Sequence, residues 1–278
     1  MELSDWLEHW AKLVEGPEPE SPTYHQRHLA RKDWWAGGRA RRFSELVKDR
    51  QELPAVMEEI VRHAGHDATI VDIGAGTGAY AIPFARQVKH VTAIDPSPAM
   101  LGFLQERARE EGLTNITLVE RKWEDAEIEP HDVTFCSHAM YASKALDQFA
   151  LKMDQLSRRA CFMLARVGNI NEGLRQAWTA LRGGERLPDP DYLPIYNILY
   201  QIGIYADVRI LPTRLSWPFA TVDDAVEFCL DYLRMDDTPE NHSLVRAYLA
   251  PELQKTDDHV QLTATASKVA LISWSKNA

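Results

Sequence analysis

The stretch ATIVDIGAGTG, residues 68–78, decides how the chain folds. Ile70–Ile73 is a short apolar run with a single acid, Asp72, inside it, and glycines follow at Gly74, Gly76 and Gly78 with Ala75 and Thr77 between them. An amphipathic helix is predicted from Ala79. Strand, glycine turn and helix form the geometry of a nucleotide-binding βα unit. The glycines allow positive φ and close approach. The backbone N–H groups of the turn and of the helix N-terminus can then hold a polar or anionic group.

Working outward, strands and helices alternate. Strands are predicted at 69–73, 91–94, 116–119, 133–136 and within 159–166. Helices are predicted at 79–87, 98–112 and 145–156, with Pro83 tolerable only in a first turn. Such a βαβ rhythm implies a mostly parallel sheet covered on both faces. Beyond Gly168 the rhythm breaks. Helices are predicted at 171–181, 195–202, 221–233 and 243–249, with strands at 206–211 and 260–274. The last strand suits a late antiparallel member. The expected fold is therefore α/β, a Rossmann-like doubly wound sheet of seven strands, mostly parallel. Its expected divisions are a helical N-terminal lid over 1–53, a cofactor-binding core over 54–168, a substrate-cap insertion over 169–205 and completion of the sheet over 206–278.

The totals fit this. Across 278 residues, hydrophobic residues make up 45% and charged residues 26%, enough apolar content for a core that needs no disulfide or metal staple. A formal net charge of -10 repels polyanions, so nucleic acid is a disfavoured partner. Cys136, Cys161 and Cys229 lack CxxC spacing and read as buried reduced thiols, consistent with a cytoplasmic location. The N-terminus lacks the pattern of a signal peptide, and no run approaches a membrane span, so no membrane association is expected. Pairs such as His63 and His66 lack a supporting ligand cluster, and no metal is expected.

Two acids narrow the ligand. Asp95 ends the second strand, where a carboxylate can accept hydrogen bonds from a ribose diol; the competing reading is a strand-end cap. Asp72 sits where a dinucleotide-binding strand commonly has an apolar residue, because a bare pyrophosphate repels nearby negative charge. A cationic, amino-acid-bearing ligand would welcome it.

VDIGAGTG, AIDPSPAML and DVTFCSHAMY together resemble a class I S-adenosylmethionine-dependent methyltransferase, well over roughly residues 60–166 and loosely elsewhere. The resemblance implies S-adenosylmethionine as cofactor and S-adenosylhomocysteine as product. It implies that Gly74, Ala75, Gly76, Thr77 and Gly78 approach the methionine and ribose parts, that Asp72 orders the methionine side, and that Asp95 grips the ribose. Pro96 and Met100 would lie near the adenine and Ser137 beside the cofactor. The family often places an acid or amide after the third strand. Here Glu124 and Asp125 both qualify, Trp123 could cover the ring, and the usual glycine–aspartate pair is missing.

Methyl transfer from a sulfonium needs alignment and desolvation, and a base only when the acceptor carries a proton at attack. The fourth strand directs CSHAMY toward the ligand crevice. His138 is the candidate base, since its intrinsic pKa lies near neutrality, and a capping histidine is the competing reading. Tyr141 either hydrogen-bonds or walls the methyl path, or simply packs. The asparagine–proline–proline–aromatic sequence of amino-group methylases is absent.

The acceptor falls to the flanking segments. KDWWAGGRARRF, residues 32–43, resembles an N-terminal lid, in which Trp34, Trp35 and Phe43 could close over the site and Arg39, Arg41 and Arg42 pair with an acidic acceptor. Asn169, Arg175, Trp178, Tyr192, Tyr196 and Tyr200 are lining candidates in the insertion, the three tyrosines sharing helical spacing. The expected function is methyl transfer to a small molecule by a monomer or homodimer. The alternatives are an RNA or protein methyltransferase and a non-catalytic S-adenosylmethionine-binding sensor.

Overall fold

The computed structural model describes residues 2–24, 35, 39–46, 50–168, 172–184, 186–255 and 259–276. Trp34 and Asn169 lie outside these, as does the side chain of Arg39.

The sequence pattern of the first strand explains its place. Strand β1 (Thr69–Ile73) alternates Ile70 and Asp72 with Val71 and Ile73, and all four are buried, so both faces must be covered. Beside it run β2 (His90–Ile94) and β4 (His131–Ser137), both parallel to it. Strand β3 (Ile116–Val119) pairs with β2, and β5 (Ser157–Arg166) with β4. Strand β6 (Asp207–Phe219) and the long β8 (Val260–Ser275) close the other edge. The order β3-β2-β1-β4-β5-β8-β6 gives seven strands with one antiparallel member, β8, as expected. A short extra strand, β7 (Leu253–Lys255), pairs with the distal part of β8.

Connections from β1 run outward in both directions, so a crevice opens between β1 and β4 at their C-terminal ends. One face of the sheet is covered by α3 (Leu53–Ala64), α4 (Ala81–Ala85) and α5 (Pro98–Glu110), whose Val56, Ile60, Phe84 and Leu104 pack with Ile70, Phe135 and Phe162. Pro83 lies in the first turn of α4, where its missing N–H costs nothing.

The opposite face takes helices from three separate parts of the chain. Helix α1 (Leu3–Glu15) joins α6 (Leu146–Gln155) and α8 (Tyr192–Gln201) on the sheet. Trp10 of α1 is fully buried and its indole Nε1 donates to the Ser143 carbonyl at 2.8 Å. Trp6, Leu7, Trp10 and Leu13 give α1 an apolar face large enough to belong to the body. The two helices within 169–205 pack in different places. Helix α7 (Glu172–Leu181) packs with α9 (Val222–Leu233) and α10 (Pro239–Leu249) around Trp178, Phe219, Cys229 and Leu230, while α8 packs on the main sheet. The distal halves of β6 and β8 form the floor of that smaller core.

All three cysteines are buried and free, and burial pushes their thiols up to about 12. Among the described residues no helix is long and apolar enough to cross a membrane.

Candidate cofactor and acceptor site

The glycine turn is tied to the end of β2. Gly74 and Ala75 donate their N–H groups to the Ile94 carbonyl at 2.8 and 3.0 Å, and Gly76 donates to Asp95 Oδ2 at 3.0 Å. The other oxygen of Asp95 accepts from Ser97 N at 2.9 Å, and Ser97 Oγ caps α5 by accepting from Met100 N. Two backbone donors thus fix the plane of a buried carboxylate at the crevice mouth. Gly74, Gly76 and Gly78 all have positive φ, and a Cβ on Gly78 would stand 2.8 Å from Leu104.

Asp72 lies beneath this turn, on the same face as Ile70. It is 1% exposed and its Oδ2 has no hydrogen-bond partner, while the Ala81 N–H faces the carboxyl group. Burial, reinforced by the neighbouring charge of Asp95, raises its pKa to about 7. The hydroxyl of the fully buried Thr77 is also unpartnered. A cationic group arriving beside Asp72 and a donor or acceptor reaching Thr77 would complete both, so the residues fit an amino-acid-bearing cation.

Of the residues expected to form a lid, Phe43 and Trp35 can be placed relative to the turn. Helix α2 (Arg39–Leu46) sets Phe43 3.8 Å from where a Gly76 Cβ would stand, and Trp35 meets Phe43 at 5.0 Å between ring centroids. Arg41 is turned to the ring of Phe103.

The residues expected near the adenine divide differently. Met100 is buried and Pro96 exposed beside Asp95. Trp123 sits in the core under α6, its Nε1 donating to the Phe149 carbonyl and the Lys152 ammonium lying 4.8 Å over its ring. Glu124 and Asp125 are exposed in the adjoining loop.

The end of β4 carries the candidate base. His138 has φ 59°, a left-handed conformation that is costly for a non-glycine residue, and its N–H donates to the Leu164 carbonyl of β5. Its Nδ1 is buried and unpartnered. Burial, then the charges of Arg50 and Arg166, hold its pKa well below 6.5, so the imidazole is neutral. With the proton on Nε2, Nδ1 presents a lone pair. Tyr141 stacks on His138 at 6.0 Å, and its hydroxyl accepts the Arg166 N–H at 2.7 Å. Burial pushes the phenol up to about 12, so it stays protonated. Ser137 Oγ lies near the Tyr80 hydroxyl without meeting hydrogen-bond geometry.

Of the insertion candidates, Tyr192 and Tyr196 are half-buried on α8 and Tyr200 is 59% exposed, facing Tyr205. The buried stripe of α8 is Ile195, Ile198 and Leu199 instead. Arg175 of α7 is half-buried and, with Arg166 and Arg186, lies in the field of Tyr232.

Several residues here carry no sequence signal. Glu52, buried just before α3, binds Arg50 at 3.2 Å, the Tyr80 hydroxyl at 3.2 Å and Thr213 Oγ1 at 2.6 Å. Arg50 is a neighbour in sequence, but Tyr80 and Thr213 come from distant parts of the chain, and only the fold brings them to Glu52. Arg166 ends β5 as one arginine among many. Among the described residues no cluster of three or more His, Cys, Asp or Glu side chains could hold a metal.

Comparison with known proteins agrees with this geometry. A methyltransferase domain family matches residues 70–159. An uncharacterized protein of Haemophilus influenzae is 29% identical over 152 residues, which is 53% of this chain and 55% of that protein, so the chain spans about half the length of that relative. Magnesium protoporphyrin IX methyltransferase of Synechocystis, solved with S-adenosylhomocysteine, superposes with a TM-score of 0.56 at 13% identity, covering 88% of this chain and 98% of that one. The YcgJ protein of Bacillus subtilis gives 0.53 at 11% identity, covering 82% and 98%. By its matched domain and by its strand order, the chain has the Rossmann-like fold of the class I S-adenosylmethionine-dependent methyltransferases.

Proposed function

We propose that the protein moves a methyl group from S-adenosylmethionine to a small-molecule acceptor by in-line displacement at carbon. The observation that carries this reading is the pair of buried carboxylates bracketing the glycine turn: Asp72 with an unpartnered oxygen, and Asp95 oriented by Gly76 and Ser97. When bound, the cofactor supplies a methyl group already activated on a sulfonium, so no covalent protein nucleophile is required. Asp95 is suited to accept from ribose hydroxyls, and Asp72 to offset the cationic amino-acid end. His138, neutral and with a free Nδ1, can take the acceptor's proton. Tyr141 orients that imidazole by stacking, its own hydroxyl committed to Arg166.

The negative surface and the covering of the turn by Phe43 favour a small molecule over a polyanion. The test is calorimetric titration with S-adenosylhomocysteine, followed by transfer of labelled methyl groups into a metabolite extract. Binding and label in a small product are expected. Absence of binding at millimolar cofactor product would defeat the proposal, and label in RNA or protein would redirect it to those acceptors.

A further inference from the structure

The sheet order divides the crevice between two ligands. With the donor's ribose held at Asp95 over β1 and β2, as read above, the ends of β4 and β5 are the part of the crevice left for the acceptor. Arg166 is the last residue of β5. Its guanidinium lies 4.3 Å over the Tyr141 ring, the ring that stacks on His138. Among the described residues no carboxylate pairs with it. The nearby acids are already engaged: Asp191 accepts from Leu193 N and Gly168 N, and Asp189 pairs with Arg186 at 2.7 Å. Among the described residues, a half-buried guanidinium without an ion pair and, joined to it through the Tyr141 ring, a buried imidazole nitrogen without a hydrogen-bond partner leave one positive charge and one acceptor to be satisfied by whatever enters.

Resting on the methyl-transfer reading above, we propose that the methyl acceptor is an organic anion whose carboxylate or phosphate group pairs with Arg166, setting the atom to be methylated beside His138 Nδ1. Arg166 is then a substrate-binding residue. Arg50 is the other cation in the field of His138, but it is already paired with Glu52 and lies over the Tyr80 ring. The guanidinium fork suits a planar carboxylate or a phosphate.

The test follows the His138 imidazole signals by NMR in protein saturated with S-adenosylhomocysteine, during titration with benzoate, phenyl phosphate and uncharged benzamide. At least one anion should move the His138 signals saturably and benzamide should not; whichever anion binds tighter identifies the group. In Arg166→Met the anion affinity should fall at least about tenfold while the S-adenosylhomocysteine affinity is unchanged. Arg166→Lys, which keeps the charge, should retain part of the response and guards against misfolding of the first variant. An equal response to benzamide, no response to either anion, or an unaltered anion response in Arg166→Met would overturn the proposal. So would loss of S-adenosylhomocysteine affinity in both variants, which would move Arg166 to the cofactor. Failure of the unmodified protein to bind S-adenosylhomocysteine at all would instead strike the methyl-transfer reading.

Discussion

A Cβ on Gly74 would stand 2.2 Å from the Cβ of Ala139. The first glycine of the turn therefore packs directly on the short helical turn that follows His138. Gly74→Ala should displace both. It combines a left-handed φ of 70°, costing about 1–2 kcal/mol, with overpacking worth about 1–3 kcal/mol. Gly76→Ala is the control: its Cβ would meet nothing closer than Phe43 at 3.8 Å, so only the backbone term applies. Urea unfolding should show a clearly larger loss for Gly74→Ala, and equal losses would contradict the close approach.

Asp72 makes stability depend on pH in a definite direction. Its folded pKa of about 7 exceeds the ordinary 3.8, so between these values the folded state holds the proton more tightly than the unfolded chain. The cofactor-free protein should lose stability as pH rises from about 4 to about 7, by a few kcal/mol from this group, and no further above that. Asp72→Asn should remove the slope and be the more stable protein at pH 8, yet bind S-adenosylmethionine more weakly. Urea midpoints at pH 5 and pH 8 check the first statement. An unchanged slope in the variant would show that Asp72 does not titrate there.

Asp95 uses both oxygens as acceptors toward Gly76 and Ser97. Asp95→Asn must turn an amide NH2 toward one of these donors. The loss expected is about 1–3 kcal/mol in stability, with a roughly 10- to 100-fold weaker affinity for S-adenosylhomocysteine. Titration calorimetry reads the second figure. Wild-type affinity in the variant would remove Asp95 from the ribose role.

His138 is held neutral across the physiological range, so protonation of this group should not reduce turnover as pH falls from 8 to 6.5. If it is the base, His138→Gln should lower kcat by about 10²–10⁴-fold while leaving cofactor affinity intact. A pH–rate profile with an inflection near 6.5 that disappears in His138→Gln would contradict the depressed pKa.

What could be read in the sequence was local. The run at 69–73, the glycine turn and Asp95 announce themselves because strand, turn and strand-end acid lie within one βαβ unit, and β1 and β3 have the predicted bounds. The network at Glu52 could not be read, since its partners Tyr80 and Thr213 are 28 and 161 residues away and none belongs to a motif. Nor could the division of the insertion. Helices α7 and α8 are both amphipathic, and only the long pairing of β6 with β8 creates the second core that takes α7 away from the sheet. Helical spacing grouped Tyr192, Tyr196 and Tyr200 correctly on one side of α8, but the aliphatic side of that helix is the buried one.

Trp10 tests the status of the N-terminal helix. A helix that only covers the site could be loosened with little effect on the fold, but Trp10 is fully buried among Met140, Leu146 and Ile195 and donates to the Ser143 carbonyl. Trp10→Ala should cost about 3–5 kcal/mol through cavity and lost burial. Trp10→Phe keeps most of the apolar contact but leaves the carbonyl without its donor, at a cost of about 1–3 kcal/mol. Because Tyr141 packs on Trp10 at 5.9 Å, both variants should also disturb the His138 stack and lower turnover beyond what the melting curve explains. A Trp10→Ala protein that melts like the wild type would return α1 to the role of a detachable lid.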